Sequence, residues 1–180
     1  MSTITLPEAG TWTIDPTHTV VGFMAKHLMV TKVRGSFKTF SGAIAVGDTP
    51  DTSSVEVSID AASIDTGTTD RDNHLRSGDF LDVETFPTLT FVSRSVRANG
   101  SGYSVDGDLT IRDTTKPVTL EMAFDGIATD PWGNTKAAFT ATTSINREEW
   151  GLTWNVPLDT GGLLVSKDIK IEIEVQATKA

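Results

Sequence analysis

Residues 169–175 read Ile-Lys-Ile-Glu-Ile-Glu-Val, and residues 118–124 read Val-Thr-Leu-Glu-Met-Ala-Phe. Both stretches largely alternate apolar and polar side chains, which is typical of a β-strand with one face in a core and the other in water. Several such strands must close or pair up, because an open edge invites aggregation. The pattern predicts an antiparallel barrel whose apolar faces point inward and leave room for a small apolar ligand.

The same period of two recurs from Trp12 onward and predicts eight or nine strands, the last of them over Val165–Val175. Phe37 and Phe40 have opposite parities, which indicates a bulge or bend near Lys38-Thr39. An all-β antiparallel barrel is therefore the expected fold, in one domain of residues 1–180, with a two-sheet jelly roll as the alternative. Turn sequences divide the strands at 15–16, 99–102, 113–117 and 130–134.

The alternation is lost between residues 68 and 85, where the sequence predicts a short helical insertion. Thr69 and Asp72 have the spacing of a capping box, and Gly78 is a typical helix stop. We expect a helix from about Asp70 to Ser77.

Composition limits the classes of function. The chain has 180 residues, with 38% apolar and 22% charged side chains, and a net charge of −9. This charge opposes non-specific binding to nucleic acid or to an anionic membrane surface. The chain contains no cysteine, so neither disulfides nor thiolate metal sites can form.

The N-terminal ten residues lack the basic and apolar regions of a secretory signal, and we expect a cytoplasmic protein. No run approaches the roughly 18 to 20 apolar residues of a transmembrane helix, so no stable membrane insertion is expected.

The densest polar cluster, Asp70-Arg71-Asp72-Asn73-His74-Leu75-Arg76, allows two interpretations. It suits an exposed helix stabilised by i,i+4 pairs between Asp72 and Arg76 and between Asp70 and His74. Alternatively, Arg71, His74 or Arg76 guards a pocket mouth and binds the anionic or carbonyl head group of a ligand.

His27 ends the inward face that begins with Val21 and Phe23, and it is either a structural residue or a donor to a ligand. His18, His27 and His74 lack metal-ligand spacing, so no metal site is predicted. No nucleophile elbow, phosphate-binding loop or dinucleotide motif occurs, so we predict no catalytic residue and no cofactor. Trp132 is expected to pack over a barrel end, whereas Trp150 and Trp154 suit either a pocket or the core.

Several segments together resemble the YceI-like family, the lipocalin-like polyisoprenoid-binding proteins. The most specific are Arg71-Asp72-Asn73-His74-Leu75-Arg76, Leu109-Thr110-Ile111-Arg112 and Thr115-Lys116-Pro117-Val118. The resemblance spans about residues 10–177. It implies an extended eight-stranded antiparallel lipocalin-like barrel with a helical segment, enclosing a long apolar channel that holds a polyprenyl phosphate or an isoprenoid quinone. Many members are periplasmic, unlike the setting expected here.

The resemblance and the alternation together predict a carrier or binder of an isoprenoid lipid, which is the expected partner. The sequence is compatible with either a monomer or a homodimer, and nucleic acid is not an expected partner. The alternatives are an interaction module whose barrel is filled by its own side chains and, less favoured, an isomerase or hydrolase that uses His27 on a buried apolar substrate. The predicted channel residues are Val21, Phe23, His27, Leu89, Phe91, Ile111, Leu120, Met122, Phe124, Phe139, Ile171 and Ile173.

Overall fold

The computed structural model describes residues 6–180, so part of the N-terminal segment considered above as a possible signal lies outside the described residues. Eleven strands and one α-helix follow one another within residues 6–180. The strands are β1 (Gly10–Ile14), β2 (Val20–His27), β3 (Thr31–Phe37), β4 (Phe40–Val46), β5 (Ser54–Asp60), β6 (Ile64–Asp65), β7 (Thr88–Asn99), β8 (Gly102–Ile111), β9 (Thr114–Thr129), β10 (Thr135–Asn146) and β11 (Asp168–Lys179), and helix α1 (Thr69–Arg76) lies between β6 and β7.

Eight of these strands close into a ring of antiparallel pairs in the order β1-β4-β5-β7-β8-β9-β10-β11, and β11 pairs again with β1. Strand β2 continues β1 along β11, because Trp12 pairs with Lys179 and Phe23 pairs with Ile171. In the same way, β3 continues β4 and pairs with β2. The fold is therefore a closed eight-stranded barrel with one short helix, as predicted, and not a jelly roll.

The break between β3 and β4 falls at Lys38-Thr39, which confirms the bend predicted from the parities of the two phenylalanines. The last strand begins later than predicted, at Asp168. Residues 165 and 166 bind the β2 strand instead: Val165 forms an isolated bridge with His27, and the Ser166 hydroxyl accepts the Lys26 N–H at 2.9 Å.

Helix α1 lies where the loss of alternation predicted it, but its ends differ from the prediction. Thr68 occupies the N-cap position without a side-chain hydrogen bond, so the predicted capping box is wrong. The Asp72 carboxylate is buried and accepts the Thr66 N–H at 2.8 Å instead. The helix ends at Arg76, one residue before the predicted end, and Ser77 is its C-cap in place of Gly78, since the Ser77 N–H and hydroxyl both donate to the His74 carbonyl.

One end of the barrel is solid. Trp12 and Tyr103 are almost fully buried there, and the Trp12 indole N–H donates to the Glu8 carbonyl at 2.9 Å. Small side chains at Ala137 and Ala177, both fully buried, leave space for these rings. This end is packed like an ordinary core, so any ligand must enter from the other end.

The other end is covered by α1, by residues 77–86 and by the long connection 147–167. Phe80 and Leu81 from this cover are buried. Arg76 ties the helix to the barrel by donating to the Ala62 and Ile64 carbonyls at 2.8 and 2.9 Å. Among residues 6–180, no helix is long and apolar enough to cross a membrane.

Candidate functional site

A cavity of about 300 Å³ occupies the barrel interior between the solid end and the helical cover. Of its 38 lining residues, 30 are apolar, seven are polar and one is glycine. The wall includes His27 and Lys26, which are exposed, so the cavity reaches the surface beside the β2–β3 hairpin. Its volume lies at the lower end of the range of small-molecule pockets.

Ten of the twelve side chains predicted to line a channel lie on this wall. Whether they contact a ligand stays a prediction. The ten are Val21, Phe23, His27, Leu89, Phe91, Ile111, Leu120, Met122, Ile171 and Ile173.

Phe124 and Phe139 do not lie on the wall, which corrects their predicted placement. Their ring centroids are 5.4 Å apart, and they pack against each other toward the solid end. Both have the inward parity, but parity does not tell how far along the barrel axis a residue lies. The register of β9 and β10 also shifts between Ala138 and Phe139.

Several wall residues could not be predicted from strand periodicity. Leu75, Phe80, Leu81 and Leu152 come from the helix and the connections, where no alternation indicates which side faces inward. Trp154 packs behind them, with its ring 5.5 Å from Phe80. The helical cover thus completes the wall with residues from distant parts of the chain.

Phe23 lies against the backbone of Gly35, its partner across the β2–β3 hairpin. A Cβ at Gly35 would overlap the Phe23 ring and would come within 2.9 Å of the Thr66 methyl group. The absent side chain therefore lets the phenyl ring lie flat on the sheet. Phe37 supports the ring from the side at a centroid distance of 5.7 Å.

Of the three residues predicted to bind a head group, only Arg71 lies on the cavity wall. Its guanidinium donates to the Thr66 hydroxyl at 2.7 Å and to the Thr66 carbonyl at 2.8 Å. Asp72 accepts from the same hydroxyl at 2.5 Å. Arg71 thus binds neutral oxygens directly, and it is linked to the Asp72 carboxylate through the Thr66 hydroxyl.

His74 and Arg76 lie outside the wall, and the predicted i,i+4 pairs with Asp70 and Asp72 do not form. The His74 ring contacts the Asp79 carboxylate at 2.9 Å and packs edge-on against Trp154 at 4.5 Å. Arg76 is engaged by backbone carbonyls, as described above. Their positions indicate that they hold the helical cover together.

Arg147 is the most unusual residue of the wall, and the sequence analysis did not single it out. It is 4% exposed and donates to the carbonyls of Leu152, Ser166 and Val165 at 2.6, 3.0 and 3.4 Å. Its guanidinium lies 5.7 Å from the centre of the Phe80 ring. Burial lowers the pKa of Arg147 from its ordinary value, although an arginine stays charged.

A signal for Arg147 did exist in the sequence. The residue continues the inward parity of Ala141, Thr143 and Ile145 by one further step beyond the end of β10. Arg147 itself begins a 3₁₀ turn over Arg147–Trp150, where strand alternation is not expected to continue. The hydrogen-bond partners of Arg147 are neutral carbonyls, and the Glu148 carboxylate next to it in the chain opposes the lowering of its pKa.

Comparison with known proteins places the chain in a family. Residues 12–177 match the YceI-like domain family. The chain belongs to the YceI-like family. This YceI-like protein is 40% identical over 168 residues to a UPF0312 protein of Staphylococcus aureus strain USA300, covering 92% of this chain and 95% of that protein.

Several solved structures share the barrel. BcnA of Burkholderia cenocepacia is 26% identical, with a TM-score of 0.76 over 92% of this chain and 99% of BcnA. The Campylobacter jejuni YceI protein is 28% identical, with a TM-score of 0.74 over 86% of this chain and 90% of that one. A polyisoprenoid binding domain from Saccharophagus degradans is 13% identical, with a TM-score of 0.72 over 96% of this chain and all of that domain, and shares the fold.

The cavity wall carries few polar side chains. Within residues 6–180, the His27 side chain has no hydrogen bond or ion pair with a carboxylate that could activate it. No group of three or more His, Asp or Glu side chains in the same part of the chain is arranged to hold a metal ion. The chemistry of this YceI-like site is that of a nonpolar container with a few cationic groups.

Proposed function

We propose that this protein binds and carries a long-chain isoprenoid lipid, either a polyprenyl phosphate or an isoprenoid quinone. The observation that carries the proposal is the apolar cavity of about 300 Å³ inside the barrel. Protein interiors are normally packed with few voids larger than a water molecule, so a nonpolar space of this size suits a nonpolar occupant. The polyisoprenoid binding domain from Saccharophagus degradans, which has the same fold, supports the choice of an isoprenoid.

The energetics favour a tail of several isoprenoid units. Burial of one CH₂ group contributes about 0.8 kcal/mol, so each five-carbon unit gives roughly 3 to 4 kcal/mol before any costs. Loss of translational and conformational freedom opposes binding by roughly 4 to 15 kcal/mol. A single unit is therefore too small for firm binding, whereas a chain of several units offsets these costs.

The head group belongs, in this proposal, at the covered end of the cavity near Arg71 and Arg147. Both guanidinium groups lie on the wall, and their hydrogen-bond partners are neutral oxygens. A phosphate there would form ion pairs as well as hydrogen bonds, and a quinone carbonyl would accept hydrogen bonds from the same cationic donors. The charge therefore favours a polar head at this end over a purely hydrocarbon ligand.

Mass spectrometry of an organic extract tests the proposal directly. The protein is purified from its native host, without detergent, and extracted in parallel with the Phe23→Arg variant. We expect a stoichiometric isoprenoid from the wild type and little from the variant, and the mass of the head group separates phosphate from quinone. An empty wild-type extract, together with no uptake of added polyprenyl phosphate or quinone, would contradict the proposal and favour a filled interaction module.

The head-group assignment has its own test. Arg71→Ala should weaken the binding of a polyprenyl phosphate, because it removes a cation from the wall. Arg94→Ala is the matched control, since Arg94 is exposed on β7, off the cavity wall, and pairs with Asp108 at 3.1 Å. Equal affinities for wild type and Arg71→Ala would remove Arg71 from the site.

The proposal also places the protein in the cytoplasm. Fractionation of the native host, with immunodetection of the protein in the cytoplasmic, membrane and extracellular fractions, measures this directly. A protein found mainly outside the cell membrane would contradict that part.

A further inference from the structure

The β2–β3 hairpin carries an apolar tip at the place where the cavity reaches the surface. Leu28, Met29 and Val30 form this tip, and they are 45%, 50% and 78% exposed. The Leu28 N–H donates to the Leu164 carbonyl at 2.8 Å, which fixes the tip beside the connection 147–167. Val156, on the same connection, is 42% exposed and extends the apolar surface.

The backbone of the tip is unfavourable for the residues that occupy it. Leu28 and Met29 have φ values of 55° and 62°, and the Val30 N–H donates to the His27 carbonyl at 3.2 Å. Two consecutive positive φ angles are typical of hairpin turns that use Asn and Gly. Large apolar residues in this geometry favour neither stability nor solubility, so their presence points to a role outside folding.

The β2–β3 hairpin itself carries a charge opposite to that of the whole protein, while strand β11 beside it carries Asp168, Glu172 and Glu174 as well as Lys170. Between Asp15 and Asp48 the chain has no carboxylate, but it has Lys26, Lys32, Arg34 and Lys38. Lys26 and Lys32 are direct partners across the hairpin, although like charges in such positions repel each other. Within residues 6–180, the side chains of Lys26, Lys32 and Arg34 form no ion pair or hydrogen bond. Asp159 is the one carboxylate in the neighbouring segment 155–165.

We propose that the tip Leu28–Val30 docks this protein on an anionic lipid bilayer, with the cavity opening directed at the membrane. Lys26 and Lys32 lie two to three residues below the tip, or roughly 7 to 10 Å at the rise of a β-strand. This spacing matches the roughly 5 to 10 Å to which peripheral apolar segments enter the interface, and it places the lysines among the lipid phosphates.

The net charge of −9 does not prevent this docking. Salt screens exposed charges over a Debye length of about 8 Å at physiological ionic strength, so the membrane senses mainly the charges near the hairpin. In this proposal the local charge of the hairpin outweighs the net charge of the protein. Docking also gives a lipid tail a path into the cavity without crossing water, a purpose that rests on the proposed isoprenoid function.

Vesicle flotation tests the docking without any isoprenoid. We expect the wild type to float with vesicles of equal parts phosphatidylcholine and phosphatidylglycerol, and to float poorly with phosphatidylcholine alone. The variant Leu28→Asn/Met29→Gly/Val30→Thr should bind at least tenfold more weakly, and its turn should be more stable because Asn and Gly suit positive φ. Lys32→Gln/Arg34→Gln should bind about fivefold more weakly per charge removed.

Trp132→Ser is the matched control. Trp132 is 83% exposed at the tip of the β9–β10 hairpin, at the opposite, solid end of the barrel and close to Asp130. Its exposure also corrects the expectation that it packs over the barrel end. Trp132→Ser should bind vesicles like the wild type, and a loss of binding in this variant would show that the wrong end was chosen.

Three further outcomes would overturn the docking proposal: no binding of the wild type to anionic vesicles, unchanged binding of the tip variant, or a concentration-dependent dimer in light scattering that the tip variant abolishes. Failure of the carrier function is a separate result. The tip residues lie off the cavity wall, so the tip variant should retain its affinity for a soluble short-chain polyprenyl phosphate. Vesicle binding without isoprenoid binding would contradict the proposed function alone.

Discussion

Ala141→Leu should raise the stability of the ligand-free protein and at the same time weaken ligand binding. Ala141 is 1% exposed and lies on the cavity wall, between Met122 and Ile173 on the neighbouring strands. Leucine adds three carbon groups to the cavity. At about 0.8 kcal/mol for each, the gain in apolar burial is up to about 2.4 kcal/mol.

The same three groups occupy space that a ligand would otherwise fill. An isoprenoid that loses the equivalent contacts binds about 2 kcal/mol more weakly, or roughly 30-fold. The melting temperature of the ligand-free protein should rise by about 4 to 8 °C. Stability and affinity therefore change in opposite directions, which is a signature of a hollow interior.

Urea denaturation of the delipidated protein and titration with a polyprenyl phosphate measure the two effects. Ala138→Leu is the matched control, because Ala138 lies on the same strand with the outward parity and is only partly buried. It should change both quantities little. If Ala141→Leu instead destabilises the protein by about 1 to 3 kcal/mol, the cost typical of overpacking, then the interior is filled and our reasoning is refuted.

Three other predictions follow from the structure. Phe23→Arg should abolish isoprenoid binding but leave a folded barrel. Val20→Arg is its control: Val20 is exposed on the same strand as Phe23 and pairs with Glu174 of β11, so this variant should not affect binding in a direct titration. Arg147→Lys should lower the free energy of unfolding by about 2 to 3 kcal/mol, measured in urea, because one ammonium cannot reach all three carbonyls. Asp15→Asn should destabilise the protein by about 1 kcal/mol at neutral pH and not in strong acid, measured by thermal unfolding across pH. The hydrogen bond with His18, followed by those with Thr17, lowers the pKa of Asp15 in the folded protein. The ionised carboxylate therefore contributes its full stabilisation of the fold above the unfolded pKa near 4, and this contribution is lost as pH falls below that value.

Each of these predictions can fail clearly. Retained binding in Phe23→Arg would mean that the ligand does not contact this part of the wall. Unchanged stability in Arg147→Lys would mean that its carbonyl bonds contribute little. A stability difference for Asp15→Asn that persists in strong acid would mean that the charge of the carboxylate is not the cause.

The alternation of side chains along the strands predicted much of the cavity wall. Val21, Phe23 and His27 on β2, and Ile171 and Ile173 on β11, could be assigned to the inner face because a strand alternates its side chains by geometry. The bend at Lys38-Thr39 was visible as a change of parity for the same reason.

Depth along the barrel axis was not visible in the sequence. Phe139 and Ala141 share one parity on one strand, but only Ala141 reaches the cavity, since the solid end begins between them. Likewise, the cluster Arg71–Arg76 was recognisable as polar and helical, but the sequence did not show which of its residues reach the cavity wall. That depends on how the helix lies over the barrel.

The sequence by itself determined the class of fold, the inward face of several strands and the family, because these depend on periodicity and on short motifs. Only the tertiary structure decided that Arg147 lines the cavity, that Phe124 and Phe139 belong to the solid end, and that the tip Leu28–Val30 lies beside the opening. These facts depend on contacts between segments far apart in the chain, such as Leu28 with Leu164. Strand register and barrel closure bring such segments together, and no local pattern encodes their distance.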